Sequence, residues 1–149
     1  MYKHILISTD GSKVGQNGVD HGLSLAKSLG AHVTLITVTE RHPLVAGGAG
    51  AAWAAGVPDI ATFQEAQTQY AKQVLDSAKL AAARLGVDAS VLHVPDAYPA
   101  EAIVDAAKSE GCSLIVIASH GRRGLGRLLL GSQTAEVLAH SPVPVLVVR

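Results

Sequence analysis

Five short apolar runs, spaced by stretches of helical periodicity, restrict this 149-residue chain more than any other feature. The runs are His4–Thr9 (HILIST), Val33–Thr39 (VTLITVT), Ala89–Val94, Leu114–Ser119 (LIVIAS) and Val143–Val148 (VPVLVV). The first, fourth and fifth are apolar almost throughout, the pattern of strands covered on both faces. Pro144 places the fifth at a sheet edge or makes the proline a strand start. Helices are predicted at Ser12–Leu29, Ile60–Leu85, Ala100–Glu110 and Ser132–His140. Strictly alternating strands and helices imply right-handed crossovers and a mainly parallel sheet with helices on both faces. The expectation is a single α/β domain spanning residues 1–149.

Within the first helix, Gly15, Gly18, Gly22 and Ala26 recur at helical spacing. Glycine weakens a helix, so the stripe predicts close backbone packing; approach to a ligand is the other reading. The second helix places Phe63, Tyr70, Val74 and Ala81 on one face, with Gly86 as its C-terminal cap. Ile103 and Ala107 point inward from the third helix, Val137 and Leu138 from the fourth. His42–Pro58, rich in Gly and Ala, is a long connection of the kind that carries function or lacks order. Its Trp53 could cover a ligand or anchor the segment to the core.

Twelve basic and twelve acidic residues cancel. A chain that neutralises many phosphates of DNA or RNA shows a basic excess, so neither nucleic acid nor an anionic membrane is the expected partner. No apolar run approaches a membrane-spanning length, and the start lacks the pattern of a signal peptide. Cys112 is the only cysteine, which fits a reducing compartment and a small buried side chain. The expected location is the cytoplasm.

The chemistry concentrates after the fourth run. Ala118-Ser119-His120-Gly121 is followed by nine residues and then Gly131-Ser132, so a strand leads through a loop to a helix N-terminus. Glycine leaves backbone N–H groups open to phosphate, and the helix dipole favours an anion there. Ser132 can meet phosphate or cap its helix. Arg122, Arg123 and Arg127 give the loop a positive cluster with no acidic residue. Composition alone weighs an anion site equally against a solvated arginine loop. Gly124-Leu125-Gly126 lacks the spacing of a dinucleotide fingerprint, and no glycine-rich loop ends in Gly-Lys-Ser/Thr.

The spacing from Gly121 to Gly131-Ser132 resembles the universal stress protein family's nucleotide pattern of Gly, two residues, Gly, nine residues, Gly-Ser or Gly-Thr. The opening ILISTDGS, the middle PAEAIVDAA, the loop ASHGRRGLGRLLLGS and the ending SPVPVLVVR are similar to that family in the same order. The resemblance implies a Rossmann-like three-layer sandwich with a five-stranded parallel sheet of order 3-2-1-4-5. It also implies ATP, or another adenine nucleotide, bound where strands one and four diverge. On that basis Thr9 and Asp10 would meet the adenosine, Asp10 accepting from ribose hydroxyls or else capping the first helix. The Val38 backbone would receive the adenine edge. Gly121, Gly131 and Ser132 would hold the phosphates, with Arg122, His120, Gln133 and Thr134 nearby as further contacts. Ala118 stands where the pattern has glycine, and its methyl group is expected to crowd the nucleotide. Ala97-Tyr98-Pro99 departs at a turn often opened by glycine.

No catalytic constellation emerges: seven histidines are scattered without metal-ligand spacing, and Ser119 and Ser132 have no evident paired base. The leading expectation is an ATP-binding stress-response regulator that pairs as a homodimer through Val143–Val148 and acts on protein partners. A slow ATP hydrolase, needing Mg2+ on the phosphates, and a nucleotide-free dimeric interaction module are the alternatives.

Overall fold

The structure, a computed structural model, describes residues 1–43, 56, 58–120 and 130–149. Strands β1 (His4–Ser8), β2 (His32–Val38), β3 (Ala89–Val94), β4 (Leu114–Ala118) and β5 (Val145–Val148) form one sheet. Its order is β3-β2-β1-β4-β5, and every pairing is parallel. Helices α1 (Lys13–Leu29), α2 (Ile60–Leu85), α3 (Pro99–Ser109) and α4 (Ser132–His140) complete the alternation.

Alternation along the strands sorts the aliphatic residues into two cores. Ile5, Ile7, Leu35, Leu114 and Val116 face Val19 and Leu23 of α1 and Leu75 of α2. Leu6, Ile36, Ile115 and Ile117 face Ile103 of α3 and Val137 of α4. The sheet is thus sandwiched between helical layers, as the order of apolar runs predicts. Gly18 and Gly22 of the α1 stripe pack against strands, whereas Gly15 meets the Asp10–Ser12 turn and lines the cavity described below. A Cβ on Gly22 would lie 2.6 Å from Ile7 Cδ1, and one on Gly18 would lie 3.4 Å from the Ala118 nitrogen.

Three expectations need correction. The fifth strand is half exposed, with Leu146 at 38%: as the edge it has one neighbour and thin helical cover. Leu138 is exposed while Val137 is buried, because consecutive helical residues lie about 100° apart. In α2 the fully buried row is Ala71, Leu75, Ala78 and Ala82, and the face of Phe63, Tyr70, Val74 and Ala81 is half-buried beside it. Gly86 does cap α2, with φ 70° and its N–H directed at the Ala82 and Ala83 carbonyls. Cys112 is buried, and burial pushes its thiol pKa up to about 11, with the Glu110 carboxylate adding to the effect. Among the described residues, no helix is long and apolar enough to cross a membrane.

Candidate functional site

Neighbouring strands part company at the C-terminal end of β1, because the chain leaves β1 toward α1 while β4 leads to the opposite helical layer. A cavity of about 670 Å³ opens there. Thr9, Asp10, Val38, Ala118, His120, Gly131, Ser132, Gln133 and Thr134 all line it. Gly121 and Arg122 lie outside the described residues, as does Trp53.

The floor is held by the turn Asp10-Gly11-Ser12. Asp10 Oδ1 accepts from both the N–H and the hydroxyl of Ser12 (3.0 and 2.6 Å), and Ser12 Oγ accepts the Gly15 N–H (3.0 Å). Asp10 therefore anchors the α1 cap, whether or not it also meets a ligand. Gly15 permits this arrangement, since a Cβ there would stand 2.6 Å from Asp10 Oδ1. Gly11 has φ +76°, and its own Cβ would fall 2.6 Å from Val74 Cγ2. The Tyr70 hydroxyl donates to the Asp10 carbonyl at 2.6 Å, tying α2 to this turn. Thr9 Oγ1 accepts from the Gly11 N–H, and the Thr9 carbonyl accepts from the Thr37 hydroxyl (3.2 and 2.8 Å).

One side wall is a strand edge. In β2 the even-numbered residues direct their backbone polar groups toward β1: His32 N–H donates to the Lys3 carbonyl, and the Ile36 carbonyl accepts from Thr9 N–H, each at 3.0 Å. Odd-numbered residues face β3, as Thr39 N–H does toward the Val94 carbonyl (3.0 Å). Val38 continues the even series after β1 has ended at Ser8, so its peptide edge opens on the cavity. The adjoining segment is closed at its ends: His42 is buried, its Nε2–H donates to the Pro58 carbonyl (2.9 Å), and it meets Phe63 edge-on.

The opposite wall is the N-terminus of α4. Gly131 is its N-cap and provides no side-chain hydrogen bond, whereas Ser12 and Asp59 cap α1 and α2 with their side chains. The first N–H groups of a helix have no partner within it, so this end presents donors and a positive dipole. The Gly131 N–H itself is not among them; it donates to the Ser119 carbonyl at 2.9 Å. A Cβ on Gly131 would lie 3.1 Å from that same carbonyl, so glycine serves close packing there. The Thr134 hydroxyl is also engaged, donating to the Ala118 carbonyl at 2.9 Å. Gln133 Oε1 accepts the Ala100 N–H (3.0 Å), so it caps α3 and leaves its amide NH2 as the donor end. These engagements span 16 to 33 residues, and no local sequence signal announces them.

His120 sits where β4 ends. Its Nδ1 shares a hydrogen bond with Ser119 Oγ (2.8 Å), and its Nε2 is buried without a partner among the described residues. Ser119 therefore has a base beside it, contrary to the sequence expectation, but it is 3% exposed and does not line the cavity. Ala118 is 6% exposed. It shares its strand face with Leu114 and Val116, and its Cβ stands 3.7 Å from where a Gly18 Cβ would be. The methyl group is thus close to α1, in a residue that also lines the cavity. Among the described residues, no three His, Cys, Asp or Glu side chains gather as a metal site.

The sequence profile described as the Universal stress protein family matches residues 1–149. Over all of this chain, the universal stress protein MJ0531 of Methanocaldococcus jannaschii is 32% identical, with 83% of its own length covered. Universal stress protein YxiE of Bacillus subtilis is 31% identical, with both chains covered completely. Among solved structures, MJ0577 superposes with a TM-score of 0.82 at 28% identity, covering 99% of this chain and 96% of its own. The chain belongs to the universal stress protein family.

Proposed function

We propose that this protein is a regulator that binds an adenine nucleotide, ATP in the first instance, in the cavity between β1 and β4. The observation that carries the proposal is the meeting, across one cavity, of an α4 N-terminus without a side-chain cap and the open peptide edge of Val38. The first suits phosphate. The second offers the adjacent donor and acceptor that an adenine edge requires. His120 lines the same cavity as the α4 N-terminus. Two fold neighbours were solved with such ligands: a universal stress protein in complex with cAMP (23% identity, TM-score 0.68) and the Archaeoglobus fulgidus protein in complex with dAMP (17%, 0.72). At those identities the likeness is one of fold, so the support is architectural. In the ATP-bound form Mg2+ would be held chiefly by phosphate oxygens.

Mass spectrometry of nucleotides released from the purified protein, followed by calorimetric titration with ATP, ADP, AMP and cAMP, tests the reading. Saturable binding of an adenine nucleotide is expected. Absence of binding by all four would reject it.

The same reading includes a homodimer formed through β5, operating in the cytoplasm. An edge strand with an apolar face leaves backbone groups and side chains to be covered, and antiparallel pairing about a two-fold axis covers both copies alike. Val147 packs against the α3–α4 core, whereas Leu146 is the exposed residue. Leu146→Glu should therefore convert the dimer to monomer without unfolding. Light scattering on a wild-type protein that is already monomeric at micromolar concentration would refute the dimer.

A further inference from the structure

The two helical layers cover the sheet unequally. α1 and α2 have 17 and 26 residues, whereas α3 and α4 have 11 and 9. On the thinner side a groove of about 460 Å³ runs between β3 and α3. Its floor is apolar, formed by Leu92 and Val94, both only partly buried. Its rim is acidic: Asp96, Glu101, Asp105 and Glu110 line it, against Arg41 as the only cation among the lining residues.

Those charges are little compensated from within the chain. Arg41 is already engaged at one end of the groove, its Nε donating to the Asp96 carbonyl (3.1 Å) and its guanidinium stacked over the Tyr98 ring (5.1 Å). Lys108 reaches Asp105 only at 3.8 Å, with both side chains largely exposed. Glu101 and Glu110 form no ion pair among the described residues. In a chain of zero net charge, this is a local acidic field over an apolar strip. Water solvates the carboxylates but not Leu92 and Val94.

We infer that the β3–α3 groove is a docking surface for a short extended segment of a partner protein carrying Lys or Arg at alternate positions between apolar residues. Spacing favours that occupant. Glu101 and Asp105 are one turn apart, about 6 Å, and alternate residues of an extended chain repeat at about 6.6 Å. From Glu101 to Glu110 the helix rises about 13 Å, the length of about four extended residues. One set of side chains reaches the carboxylates while the other covers Leu92 and Val94.

The test uses the full chain and a blocked pentapeptide of alternating lysine and valine, with a glutamate–valine peptide as its counterpart. Amide NMR shifts should saturate with the lysine peptide and map to residues 91–95 and 99–110. Combined Glu101→Lys and Asp105→Lys substitution should weaken that binding at least tenfold and favour the glutamate peptide. Glu101→Gln with Asp105→Asn provides the same direction of change if the reversed variant folds poorly. Both carboxylates are exposed, so circular dichroism should remain native. Non-saturating shifts, shifts centred on β5 or the β1–β4 cavity, or affinity unchanged in the variants would overturn the inference. So would a change in oligomeric state on substitution, which would assign the groove to a second copy of this chain.

Discussion

The two ends of the sheet solve the same problem in opposite ways. At the N-terminal end of the strands, polar groups consume one another. His4 Nε2 and Thr34 Oγ1 share a hydrogen bond of 2.8 Å, Thr34 Oγ1 and Ser90 Oγ one of 3.1 Å, and Ser113 Oγ donates to the His4 carbonyl at 3.0 Å. At the C-terminal end, the Val38 edge and the α4 N-terminus face a cavity instead, with His120 also in its lining. Buried polar groups are costly when unmade, so the difference is informative. The closed end contributes to stability, while the open end retains capacity for a ligand.

The sharpest way to break this contrast is to close the open end with a charge. Gly131→Asp would place a carboxylate at the N-cap of α4, where φ −60° and ψ 146° suit any residue. Nucleotide affinity by calorimetry should fall about 100-fold, equivalent to about 2.7 kcal/mol. Gly131→Ala introduces the same Cβ, 3.1 Å from the Ser119 carbonyl, without charge, and should lose less than about tenfold. Equal losses in the two variants would assign the effect to sterics alone.

Gly11→Ala attacks the cavity floor. It forces a side chain into φ +76° and against Val74 and Tyr70, so urea unfolding should register a loss of about 2–4 kcal/mol. A loss below about 1 kcal/mol would mean that the turn relaxes away from α2.

Acid should act most gently. Burial, and then the neighbouring charge of His32, hold His4 below the ordinary pKa of 6.5; burial lowers His93 as well, although Asp96 opposes it. The folded state therefore takes up protons less readily than the unfolded chain. Stability present above pH 6.5 should decline as pH falls through that value and level off below the folded-state pKa values. A His4→Gln, His93→Gln variant should show a flatter dependence in urea titrations at stepped pH, and an unchanged slope would remove these two groups as its cause.

Much of this architecture is legible in one sequence, and the failures have physical causes. The apolar runs report strands because both faces of β1 and β4 are buried. Gly18 and Gly22 report helix-to-strand contact: a Cβ at Gly22 would run into Ile7, and one at Gly18 would already touch Ala118. The buried row of α2 escaped because Ala71, Ala78 and Ala82 have little hydropathy, and bulkier neighbours drew the reading one position aside. At the cavity, residue positions could be read but engagements could not. That Asp10 anchors the Ser12 cap, or that Gln133 caps α3, depends on backbone paths fixed only by the whole fold.

The strand order also governs how the molecule is made. β1, the central strand, is synthesised well before β4, its partner on one side, since His4 and Ser113 are separated by 109 positions. At ribosomal speeds of about 5–20 residues per second, one edge of β1 waits roughly 5–20 s for that neighbour. β2, α1 and α2 can assemble in the interval, but the sheet cannot close around its centre. The nascent chain thus passes through a stage with an apolar strand bare along one side, in which recruitment of β4 competes with pairing to other chains.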